Sequence, residues 1–312
     1  MFNRMDIKRW FHKICQSVWA IGFIESDIDD ILAGKPYQIK WVDVPADCWY
    51  ADPFILKVTD NIIELLVEKW SYEEEKGSIT KLIIDRNSNK IIDSKDILKL
   101  DTHLSFPVIY RIEGNIIVCP ENSASGCHQA YKYDEKDETL TLVKCICPLP
   151  LTDAVMTELL GERILFATQS HNANGNKLDV FKWNAEDGIF VLSSSISFDE
   201  KIARMAGHFF EHDGVVYRPA QVCNTSYGQA VSLQRVEKKD DVIKMVEIRR
   251  LFSTHKRLHN GMHTFNLSQG IIVVDAWGWI HPFLRKLFVD DWGNMKSWVL
   301  WVSGLKKRSV KS

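Results

Sequence analysis

The chain has 312 residues, with 39 basic side chains against 41 acidic ones and a net charge of -2 at neutral pH. That balance excludes a dedicated nucleic-acid binder, which carries a basic stripe or patch. No run approaches the length of apolar sequence that a transmembrane helix needs.

From the N-terminus, MFNRMDIKRWFHKICQSVWAIGFI has scattered basic residues and no small-residue cleavage site. No signal peptide is expected, and a cytoplasmic location follows as an expectation. Residues 6–18 put Ile7, Trp10, Phe11, Ile14 and Val18 on one helical face, with Lys8, Arg9 and Lys13 opposite. This predicts a short N-terminal helix that packs on the body or lies on a membrane surface. The seven cysteines are odd in number, which suits reduced thiols. Cys119, Cys145 and Cys147 match no zinc spacing, so neither a metal nor a cofactor is expected.

Next comes CWYADPFIL, residues 48–56. Proline has no N–H to give a ladder, so Pro53 is expected at a strand's first position or on an edge. Asp52 then projects from the strand's mouth. The stretch ADPFILKVTDNIIELLVEK opens a series of similar hairpins, followed by FPVIYRIEGNIIVCPE, DAVMTELLGERILFAT, AGHFFEHDGVVYRPAQ and MHTFNLSQGIIVVDAW. Their turn residues are Asp60, Gly114, Gly161, Gly214 and Gly270, the residue types that tight hairpins select. Further strand candidates follow, among them SITKLIID, HQAYKYDE, KLDVFKW and AVSLQRV.

Four strands per repeat of about 50 residues is the signature of a β-propeller. The predicted fold is all-β, a five-bladed β-propeller with short N- and C-terminal helical extensions. Residues 1–40 hold the N-terminal helix and a ring-closing strand, VWAIGFIE, of the same domain. Residues 41–282 form the propeller, and 283–312 an aromatic, basic extension. The termini are candidates for peripheral membrane contact, and the oligomeric state is left open.

Superposing the repeats on their turns makes the residue eight places earlier comparable: Asp52, Phe106, Asp153, Ala206 and Met262. Aspartate is disfavoured in strands and costly to bury alone, so two at one register predict a site in the central funnel. The second strands end at the same rim with Glu68, Glu121, Thr168, Gln221 and Trp277. Near them fall Trp49, His103, Arg204, His208, Arg218, Tyr227 and His263. Aromatic faces beside carboxylates, amides and arginines suit a sugar, or a sugar phosphate, as ligand. The alternative is structural: aspartates bonded to local backbone, buried ion pairs, and framework histidines.

WYADPF opening the first repeat, with another aspartate opening the third, resembles the five-bladed superfamily of arabinanases, levansucrases and invertases. The ordered set ADPF, HLSFP, PEN, LTDAV, RMAG, RPAQ with YGQAV, and MHTFN is similar to the N-terminal propeller of glucosamine inositolphosphorylceramide transferases and its bacterial relatives, over residues 41–280. The resemblance implies a five-bladed fold and a role in glycan or glycolipid assembly. In family 43 glycosidases the first-blade aspartate is the base, a third-blade aspartate tunes pKa, and a fourth-blade glutamate is the acid. Asp52 and Asp153 match the first two. The third is replaced by Ala203-Arg204-Met205-Ala206, so hydrolysis requires Glu68 or Glu121 to serve as acid.

Arginine in that place points to a phosphate leaving group, which Arg204 and Arg218 would hold. Sugar transfer from a phosphate-activated donor is therefore the leading expectation, with Asp52 as base, Asp153 tuning it and Glu121 the third catalytic carboxyl. The alternatives are a glycoside hydrolase with a relocated acid and a non-catalytic glycan-binding scaffold. In the resembled transferases the catalytic domain is a separate one, which favours the binding role.

Overall fold

The computed structural model describes residues 17–240 and 242–279. The expected C-terminal extension lies outside these residues, as does the expected N-terminal helix except for Ser17 and Val18. Those two residues begin a strand instead, because the run from Val18 to Ile24 is buried and pairs in a sheet. The chain divides into two compact units, Trp19–Ala276 and the terminal segments Met1–Val18 with Trp277–Ser312. Among the described residues, no helix is long and apolar enough to cross a membrane.

The fold is a five-bladed β-propeller of five four-stranded sheets. Blade one contains β3 (Cys48–Val58), β4 (Ile62–Ser71), β5 (Lys76–Asp85) and β6 (Lys90–Leu98). Blade two contains β7 (Ser105–Ile112), β8 (Asn115–Glu121), β9 (His128–Asp134) and β10 (Thr139–Cys147). Blade three contains β11 (Leu151–Thr157), β12 (Ile164–Gln169), β13 (Lys177–Asn184) and β14 (Ile189–Ser197). Blade four contains β15 (Phe210–His212), β16 (Val215–Val222), β17 (Ala230–Lys239) and β18 (Val242–Leu251).

Blade five is composite: β19 (Phe265–Ser268) and β20 (Ile271–Trp279) are completed by β1 (Ser17–Ile24) and β2 (Ile39–Trp41) from the start of the chain. VWAIGFIE thus supplies the ring-closing strand. The sequence reading did not anticipate β2 or the single helical turn α1 (Ile28–Leu32) between β1 and β2.

Each expected turn joins the first two strands of a blade. Glu113-Gly114, Asp213-Gly214 and Gln269-Gly270 all have φ between 49° and 76°, the conformation that two-residue hairpin turns require. Burial falls from the inside outward: β3 is buried over its first nine residues, whereas β6 is mostly exposed. The inner strands pack through aromatic contacts such as Phe54 against Phe106, edge-to-face at 5.0 Å.

The inner strands share a second feature. Asp52, Phe106 and Asp153, at one register of blades one to three, have φ of 50°, 45° and 46°. At each, the ladder to the second strand slips, between Ala51 and Phe54, Ser105 and Val108, and Thr152 and Val155. Such bulges re-aim side chains beside functional sites. They also explain Pro53, which lies inside β3 rather than at its start: the bulge leaves no ladder bond there for an N–H to make.

Candidate functional site

The bulges turn Asp52 and Asp153 into one buried cluster to which all five blades contribute. Asp52 is only 4% exposed. Its Oδ2 accepts the Phe106 N–H at 3.1 Å and its Oδ1 the Thr264 hydroxyl at 2.8 Å. The His263 Nδ1 lies 3.6 Å from Oδ1. Asp275, fully buried in β20, organises this corner. Its Oδ1 accepts the N–H groups of His263 and Thr264, both at 3.0 Å. Its Oδ2 accepts the Asp52 N–H at 3.1 Å and pairs with His263 Nδ1 at 2.7 Å. Trp19 stacks on the His263 ring with centroids 4.0 Å apart, and Trp49 lies 6.3 Å beyond Trp19.

Asp153 anchors the other side. Its Oδ2 accepts from Arg204 Nε and from Gln221 Nε2, both at 2.6 Å. Its N–H donates to Glu121 Oε2 at 3.2 Å. Arg204 also donates to Asn174 Oδ1 at 2.9 Å, approaches Glu121 at 3.8 Å, and lies 4.8 Å over the Tyr227 ring. Glu68 closes the ring of acids; its Oε1 is 3.5 Å from His103 Nε2, and His103 Nδ1 accepts the Gly77 N–H at 3.0 Å.

The electrostatics follow from five carboxyl groups facing two cations. Burial lifts Asp52 to about 6, with His263 opposing the rise and Asp153 and Asp275 adding to it. Burial and the neighbouring acids hold Glu68 well above the usual carboxyl range. Burial and Asp153 do the same to Glu121, against Arg204. Burial works against the His263 charge, but Asp275 and Asp52 outweigh it and raise its pKa. Asp275 is held low, because His263 and the backbone N–H groups overcome its burial. The cluster therefore combines glutamates that hold their protons more tightly than usual with an ionisable Asp52, an acid and base pairing.

Of the residues singled out in the sequence, Asp52, Asp153, Glu121, Glu68, Arg204, Gln221, Tyr227, His263 and His103 come together, with Trp49 joined through Trp19. Three do not. Arg218 is 0% exposed; it donates to the carbonyls of Ala203 and Ile202 and to Gln234 Oε1 at 2.7 Å. Its guanidinium is engaged in bracing the backbone beside Arg204, and burial lowers it to about 9. His208 packs edge-on against Phe54 and Tyr110, both at 5.4 Å, and burial lowers it to about 4. It is a framework histidine. Trp277 falls in the terminal unit, edge-to-face with Trp279 at 5.6 Å.

Sequence reasoning missed Asp275, Thr264, Trp19 and Asn174. Asp275 had a signal, an acid inside the apolar run IIVVDAW. Asp52, His263 and Asp275 lie close enough for a shared cation. The Asp275 oxygens are already engaged by the N–H groups of Asp52, His263 and Thr264 and by the His263 ring, which fits hydrogen bonding better than metal ligation.

The comparisons with known proteins agree with this architecture. The solved exo-β-1,3-galactanase of Phanerochaete chrysosporium, bound to β-1,3-galactotriose, is similar with a TM-score of 0.52 and 9% identity, over 73% of this chain and 56% of that one. That likeness shows the fold. Glucosamine inositolphosphorylceramide transferase 1 of Oryza sativa subsp. japonica is 28% identical over 148 residues, 44% of this chain and 19% of the rice protein. The protein of that name from Arabidopsis thaliana is 27% identical over 148 residues, again 19% of its length. The matched stretch thus spans about a fifth of these curated relatives. Residues 40–277 match the family described as "Glucosamine inositolphosphorylceramide transferase 1, N-terminal", and the chain belongs to that family.

Proposed function

We propose that this chain is a carbohydrate-active propeller in glycolipid assembly, with the buried carboxyl cluster as its sugar site. In this reading Asp52 takes the proton from an acceptor hydroxyl while a sugar moves from a phosphate-activated donor. A cytoplasmic, membrane-associated location belongs to the same proposal. The observation that carries it is the convergence of Asp52, Glu68, Glu121, Asp153 and Asp275 beside His263 and Arg204. Burying so many ionisable groups is costly for a scaffold, and perturbed carboxyls cluster where proton transfer is done. A base that titrates near 6 is suited to work near neutrality.

The family name supports the glycolipid context, and the galactotriose in the structurally similar galactanase supports a sugar as ligand. Among the described residues, Arg204 is the one arginine in the cluster. Asp153 offsets its charge on one edge, while the raised pKa of Glu121 weakens the competing charge on the other, where a donor phosphate can meet the guanidinium. The raised Glu121 and Glu68 also favour a second reading, glycoside hydrolysis with one of them as acid.

Thermal unfolding with nucleotide sugars, sugar phosphates and free oligosaccharides separates the two, since a ligand of the folded state raises its stability by mass action. Stabilisation by activated sugars, weakened in Arg204→Lys, supports transfer. Stabilisation by oligosaccharides alone supports hydrolysis. No stabilisation by any class contradicts a sugar site.

A further inference from the structure

Away from the carboxyl cluster, blades two and three enclose an apolar slot of about 230 Å³. Tyr110, Cys119 and Ala130 wall it on one side, and Met156, Trp183 and Phe190 on the other. The charged side chains at the slot are both cations. Lys144 Nζ lies 4.9 Å from the Trp183 ring centroid and the Arg163 guanidinium 5.5 Å from it. Arg163 is paired with Glu158 at 2.7 Å, whereas Lys144 donates to a neutral group, the Gly188 carbonyl, at 2.8 Å. The adjoining outer strands are apolar where solvent would favour polar residues: Leu142, Val143, Val191 and Leu192 are 47–54% exposed.

An apolar void of about 150 Å³ stays dry and takes up benzene, so a larger one with aromatic walls accommodates an alkyl chain. Cations held at its edge select an anionic head group. We propose that this slot binds the alkyl end of an anionic amphiphile, with the head group set against Lys144 and Arg163. The site is separate from the carboxyl cluster, and the proposal does not depend on a sugar function.

The test is thermal unfolding of the full chain with octyl phosphate below its micelle concentration, with octanol and inorganic phosphate as controls. Octyl phosphate is expected to raise the midpoint by a few degrees at saturating concentration, octanol by less, and inorganic phosphate not at all. Ala130→Leu, which fills the slot, is expected to abolish the shift. Lys144→Glu, a surface change that spares folding, is expected to weaken octyl phosphate at least tenfold while leaving octanol unchanged. Sedimentation with anionic vesicles distinguishes the source: binding that Ala130→Leu removes assigns a membrane lipid, and its absence alongside an octyl phosphate shift assigns a dissolved amphiphile. No shift with octyl phosphate, or an equal shift in Lys144→Glu, overturns the proposal.

Discussion

Asp275 receives the backbone N–H of Asp52 at 3.1 Å, a bond between residues 223 positions apart that ties the last blade to the first. The same carboxylate holds the His263 and Thr264 N–H groups and the His263 ring. It therefore fixes both the left-handed backbone of Asp52 and the hydroxyl and imidazole beside it. Asp275→Asn keeps one acceptor but turns an amide N–H toward donors. It should cost roughly 2–4 kcal/mol, the range for leaving buried polar groups and a buried cation unsatisfied. Urea unfolding measures this; a loss under about 0.5 kcal/mol would show that Asp275 does not organise the corner.

Asp52 itself should weaken the fold at neutral pH. Its pKa is raised from 3.8 to about 6 in the folded state, so the folded chain keeps a proton that the unfolded chain releases. Its contribution is full below the unfolded value and is lost as pH rises through about 6. Asn carries no such proton. The stability of Asp52→Asn relative to wild type should therefore increase between about pH 4 and pH 7, by at most about 3 kcal/mol. Unfolding curves at the two pH values check the sign, and a difference independent of pH would contradict the raised pKa.

Arg204 and Asp153 form a buried ion pair in the cluster, at 2.6 Å. Arg204→Met leaves an uncompensated acid and should cost roughly 3–5 kcal/mol. Asp153→Leu should cost a similar amount, and the double variant should recover at least about 1 kcal/mol of the summed loss. Additive losses in the double-mutant cycle would mean that the two groups do not stabilise each other.

Gly207 marks where blade four meets blade five. Its φ is 154°, and a Cβ there would stand 2.1 Å from the Phe265 carbonyl oxygen. Because the obstacle is backbone, Gly207→Ala should cost roughly 2–4 kcal/mol. The same change at Gly114, where a Cβ meets nothing within 4 Å, should cost less, about 1 kcal/mol for its positive φ. Equal losses in thermal unfolding would deny the close approach.

The blades were legible in the sequence because four of the five hairpin turns use a glycine in the left-handed region, and the turns recur about every 50 residues. The two aspartates were legible because their register placed an acid in an apolar run twice. The partners were harder to read. Arg218 and Arg204 flank the same backbone segment, yet one is spent on carbonyls and the other on carboxylates. Strand alternation alone does not separate these outcomes. His208 and His263 occupy similar places relative to their turns, but His263 faces an acid across the blade boundary, Asp52 at 3.6 Å, whereas His208 packs on aromatic rings. Some of these pairings join residues 51 and 223 positions apart, as Arg204 with Asp153 and Asp275 with Asp52 do, and spacing along the chain does not encode them.

The base role of Asp52 is tested most directly by sugar transfer, measured with the donor class that stabilises the protein, in wild type and Asp52→Asn side by side. The account predicts that the variant retains ligand stabilisation while turnover falls about 10²–10⁴-fold. Turnover equal to that of wild type would contradict it.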